Sequence, residues 1–95
     1  MKRSLSTGLR ADAAPGSALL AREAALALLE RSIGFGHGRL AVVRLAMAVQ
    51  AGAEVPAPHW HYCREAARTD LTLQTLLGQA EVLALQARAA APLPH

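Results

Sequence analysis

The chain has little aromatic, cysteine or net charge content. Its 95 residues include one Phe, one Trp, one Tyr and one Cys. A lone Cys excludes an intramolecular disulfide framework. No stretch reaches the ~18 uncharged apolar residues of a membrane span, because Arg22, Glu23, Glu30, Arg31, Arg39 and Arg44 interrupt the apolar region from 18 to 51. The N-terminus carries basic residues without the apolar run of a secretory signal, so a cytoplasmic setting is expected. The formal charge of +3 is carried by Lys2, Arg3 and Arg10, since residues 11 to 95 hold seven Arg against seven Asp plus Glu. A balanced domain has no basic face to track phosphates, and no nucleic-acid partner is expected.

Ala and Leu make up most of the rest. Of 50 hydrophobic residues, 22 are Ala, 16 Leu, 5 Val and 1 Ile. Alanine buries little area, and a domain of this length hides only roughly 60 to 65% of its unfolded surface. Such a domain gains stability from a partner or from self-association.

Residues 1 to 16 mix Ser, Thr, Gly, Pro and basic residues without periodicity and read as a flexible arm; 91 to 95 read as a similar tail. Ser17 is the expected N-cap of a first helix over about 18 to 33, which Gly34 stops. The run from Leu40 to Val49 has β-branched content. Its alanines and Met47, and the lack of a second strand to pair with, favour a helix over about 39 to 51. Gly52 to Pro58 is a loop whose two prolines open the next helix. From Pro58 to about Ala89 the polar residues His61, Arg64, Glu65, Arg68, Thr72, Thr75, Gln79 and Gln86 recur with helical spacing, which predicts one long helix. Thr69-Asp70 offers an alternative restart point within it. The fold class is all-α, an antiparallel helical hairpin or small three-helix bundle with a long C-terminal helix.

A second polar stripe of Asp70, Gln74, Glu81 and Arg88 divides the apolar surface of the long helix. The broad face carries Tyr62, Ala66, Leu73, Leu77, Ala80, Ala84 and Ala87. The narrow one carries Trp60, Ala67, Leu71, Gly78, Val82 and Leu85. The second helix is doubled in the same way, with Leu40, Val43 and Met47 on one side and Val42, Leu45 and Val49 on the other. Three helices leave some of these faces uncovered, which marks a binding surface or an oligomer seam. The narrow face supplies the candidate partner-binding residues.

The rare residue types cluster in His59-Trp60-His61-Tyr62-Cys63. His59 and Cys63 lie four apart and share a helix face, as a metal-binding pair would. The pair is incomplete, because a closed zinc site takes four ligands and a catalytic one three. The repressor pattern His-x-x-x-Cys also needs an upstream Cys, which is absent. Cys63 as a nucleophile sits beyond the first turn, where the helix dipole has faded, and no Asn or Asp close in sequence orients a histidine. Gly34-Phe35-Gly36-His37-Gly38 could offer amides to an anion, but it lacks the strand and spacing of nucleotide loops and is explained as a reversal between helices. No cofactor, metal site or enzymatic activity is expected; a small metal-binding sensor or enzyme using His59 and Cys63 is the alternative.

The segment Pro58-His59-Trp60-His61-Tyr62-Cys63-Arg64-Glu65-Ala66, followed by the Ala- and Leu-rich run from Leu71 to Leu85, resembles the last helix of the small E-type co-chaperones of bacterial type III secretion. The likeness spans about residues 56 to 90. It implies a helical hairpin that pairs with a larger helical-repeat chaperone and keeps a self-polymerising needle subunit monomeric in the cytoplasm. By this analogy Trp60, Leu71 and Leu85 carry the partner contact. The Ala-rich helix ahead of the loop is an addition to that pattern.

Overall fold

A computed structural model describes residues 15–90, with side chains from Ser17 onward; residues 1–14 of the expected arm and the expected tail 91–95 lie outside the described residues. The fold is all-α. Helix α1 spans Pro15–Gly34, α2 Gly38–Gln50, α3 Ala57–Ala66 and α4 Leu71–Ala90, and no strand occurs among the described residues. The first helix begins at Pro15, two residues before the expected Ser17 cap. Proline fits a first helical position, where its missing N–H leaves no bond unmade.

Both early helices end in the same device. After α1, the Gly36 amide donates to the Ile33 carbonyl and the His37 amide to Ser32; after α2, Gly52 donates to Val49 and Ala53 to Ala48. Gly36 and Gly52 hold φ of 73° and 87°, a left-handed conformation that costs a side-chain-bearing residue about 1–2 kcal/mol. Pro56 then caps α3 in an extended conformation, and Pro58 lies in the first turn.

The long C-terminal helix predicted from the polar periodicity is two helices, α3 and α4, separated by a turn over residues 67–70. Asp70 begins α4: its Oδ1 accepts from the Leu73 amide at 3.1 Å. Gln74 reaches back, donating through Nε2 to the Ala67 and Arg68 carbonyls at 3.1 and 2.8 Å. The polar groups freed at the break are therefore paired with side chains four residues apart. Arg39 of α2 lies 3.5 Å from Asp70 and ties the turn to the neighbouring helix. Asp70→Ala should lower stability by about 1 kcal/mol, a fall in Tm of roughly 4–8 °C in thermal circular dichroism, whereas Asp70→Asn keeps most of it by preserving the cap.

Helix α2 is the hub. It packs against α1, α3 and α4, and α1 and α4 do not meet each other. Its inward face buries Ala41, Val42, Leu45, Ala46 and Ala48, joined by Leu29 from α1, Cys63 from α3, and Leu73, Leu77 and Ala80 from α4. The opposite face of α2 stays uncovered, with Leu40, Val43 and Met47 all exposed. The sequence spacing separates Leu40, Val43 and Met47 from Val42 and Leu45 in the same way, while Val49, expected beside the latter pair, is half-buried.

Candidate functional site

The break after Ala66 resets the helical phase, and this decides which narrow-face residues are accessible. On α3 the inward side holds buried Cys63, half-buried Trp60 and, just past the helix end, Ala67, which is 1% exposed. Ala67 is therefore a core residue and has no surface to offer a partner. On α4 the inward side is the broad face, Leu73, Leu77 and Ala80. Its outward side carries Leu71, Val82 and Leu85 at 77, 53 and 62% exposure, with Gly78 between them. A β-carbon added at Gly78 would meet nothing within 4 Å.

Trp60 returns to the same neighbourhood from α3. With Ala84, Leu85 and Arg88 it lines a cleft of about 290 Å³. Arg64, one turn further along α3, lies over the Trp60 ring with its guanidinium carbon 5.7 Å from the ring centre. The same guanidinium donates from Nε and Nη2 to Glu81 Oε2 at 3.1 and 2.9 Å. A cation over an indole and a charge-assisted pair thus hold the wall of the cleft and link α3 to α4. This ladder was not legible beforehand, because on one straight helix Arg64 and Glu81 would lie seventeen residues apart. Glu65 and Arg68, three residues apart, lie 4.0 Å from each other on the exposed side of the turn.

The cluster of rare residues divides. His59 Nε2 lies 3.3 Å from Glu30 Oε2 and bridges α3 to α1. Trp60 and Tyr62 are half-buried and pack on the core. Cys63 is fully buried, and burial pushes its thiol up to about 11. A buried thiol held protonated is poorly suited to attack or to bind a metal at neutral pH, and among the described residues no three His, Cys, Asp or Glu side chains gather around a point where an ion could sit. At pH 8, alkylation of Cys63 by iodoacetamide should be about a hundredfold slower in the native protein than in urea from the thiolate fraction alone, with burial slowing it further. The folded thiol holds its proton longer than the unfolded one. Its contribution to stability is therefore complete below pH 9 and is lost as pH rises toward 11.

The glycine reversal offers little to an anion. The amides of Phe35, Gly36 and His37 already donate to carbonyls of α1. Three arginines, Arg39, Arg64 and Arg68, are likewise paired with Asp70, Glu81 and Glu65. No described helix is long and apolar enough to cross a membrane.

No protein-family model, curated protein or solved structure matches this chain.

Proposed function

We propose that this chain is a small helical protein-binding module, most concretely a co-chaperone or assembly factor of a bacterial secretion system that seats a partner protein along α4. The observation that carries this reading is the outward stripe of α4, where Leu71, Val82 and Leu85 stand exposed on a helix whose opposite face is already in the core. Each such side chain gains about 1.5–3 kcal/mol when fully covered. Trp60 extends the stripe at one end through the cleft it shares with Leu85, while Leu71 stands about 21 Å away along the helix.

The likeness of Pro58 to Ala66 to the E-type co-chaperones supports a larger helical-repeat chaperone as the partner and the bacterial cytoplasm as the setting. Trp60, Leu71, Gly78, Val82 and Leu85 form the contact set. Ala67 is excluded by its burial.

The test is a pull-down of the full chain from a lysate containing its candidate helical-repeat chaperone, with wild type and Leu71→Glu compared side by side. Wild type should retain the repeat protein. Leu71→Glu should reduce capture at least tenfold while leaving the far-ultraviolet circular dichroism unchanged, since Leu71 lies outside the core. Equal loss of binding and helicity would show that this face supports the fold, and failure of wild type to hold any helical-repeat protein would remove the co-chaperone reading.

A further inference from the structure

The outward stripe of α4 has a register. Leu71, Gly78 and Leu85 are spaced by seven, and Thr75, Val82 and Ala89 repeat the same interval four residues later. These are the two seam positions of a heptad repeat sustained over the whole helix. The exposed seam residues alternate in size in a way that matters when the helix is laid antiparallel to a copy of itself. With the two-fold axis level with Ala80, Leu71 faces Ala89, Leu85 faces Thr75 and Val82 faces Gly78. Every large residue meets a small one.

We infer that α4 forms an antiparallel seam with α4 of a second copy of this chain in that register, which deepens the reading of α4 as an interface by naming an occupant that needs no other protein. The environment of each seam residue agrees with this. The open space above Gly78 is where the second copy's valine fits. The Thr75 hydroxyl already donates to the Leu71 carbonyl at 3.0 Å, so covering it strands no polar group. Charge is compatible as well. One flank is uncharged, with Thr72, Gln79 and Gln86. On the other flank Glu81, which comes near its own copy at the axis, is neutralised by Arg64 at 2.9 Å. An isologous pairing therefore brings no unpaired like charges together. The helix is 20 residues long, about 30 Å, and two such seams bury on the order of 1,000 Å², the lower edge of specific interfaces. That size corresponds to a reversible dimer, which a hetero-partner of larger area would displace.

The experiment uses the full chain at about 100 µM, a concentration at which a dimer with a dissociation constant on the order of 10 µM is mostly formed. Light scattering after size exclusion should give a mass near twice 10.0 kDa, and Val82→Glu should return it to one copy with unchanged helicity. Two single cysteines then read the register. Gln79→Cys sits beside the axis and should cross-link in high yield under mild oxidation. Thr72→Cys should not, because its copy lies about 24 Å away along the helix, beyond disulfide reach. Cys63, being buried, contributes no background. A wild-type monomer at this concentration overturns the inference, and so does cross-linking of Thr72→Cys as readily as Gln79→Cys, which the antiparallel register forbids. If Val82→Glu fails to fold, the two cysteine variants still decide. A monomer that nevertheless loses a helical-repeat partner on Leu71→Glu would remove the homodimer and leave the hetero-interface standing.

Discussion

Leu45→Ala should destabilise the domain by about 3 kcal/mol, within the 2–5 kcal/mol range of buried leucine truncations. Leu45 is fully buried near the middle of α2, the helix on which both α1 and α4 pack although they do not meet each other. Its neighbours on that face are Ala41, Ala46 and Ala48, whose side chains are too small to swing into the space a missing isobutyl group leaves. The cavity therefore persists, and the cost includes the void as well as the lost transfer energy. A domain of about this size has roughly 4–11 kcal/mol of total stability, and an alanine-rich core places it toward the lower end. The loss should appear as a fall of roughly 1–3 M in the urea midpoint at unchanged slope. Met47→Ala, on the uncovered face of the same helix, serves as the control and should cost under about 1 kcal/mol. A Leu45→Ala loss no larger than that of the control would mean that α2 is not the organising centre.

Gly38→Val is expected to cost about 1–3 kcal/mol through overpacking. Gly38 opens α2 where the end of α3 crosses it, and an added β-carbon would lie 2.9 Å from the Ala66 β-carbon, well inside the 3.5–4.0 Å optimum for two carbons. The obstruction is a methyl on a helix, with no flexible end to move aside, so α3 must shift. Since α3 carries Arg64 and Trp60, the shift also disturbs the wall of the cleft beside Leu85. The coupling can be measured with the smaller change: Gly38→Ala combined with Ala66→Gly removes the clash, and the double variant should be more stable than the two single costs predict. Strict additivity in urea titrations would count against the close approach. Tryptophan fluorescence reports the accompanying change at Trp60.

The all-α class, the positions of the first two helices to within three residues, and the division of α2 and α4 into two apolar faces each were legible in the sequence because they depend on periodicity and helix-forming residues. The break over residues 67–70 was not, for a physical reason. His61, Arg64, Arg68, Thr72, Thr75 and Gln79 keep helical spacing in the sequence across the turn, so the polar pattern gave no sign of an interruption. Asp70 and Gln74 could be read equally as members of a polar stripe and as a cap with its return bond. What decides between them is tertiary: Arg39 on α2 reaches Asp70, and Gly38 admits the end of α3. The same reset turned Ala67 inward. It also brought Arg64 to Glu81, a pairing that a straight helix forbids.

That α1 and α4 share α2 without touching each other has a consequence for how the chain opens. The α1–α2 pair is closed by a three-residue reversal, while α2 meets α4 only after some twenty intervening residues, so the first pairing is the cheaper to form in loop entropy. Either flanking helix can then peel away and leave the other docked. Amide exchange should accordingly fall into tiers, with α2 slowest because its amides become free only when both of its outer neighbours have left.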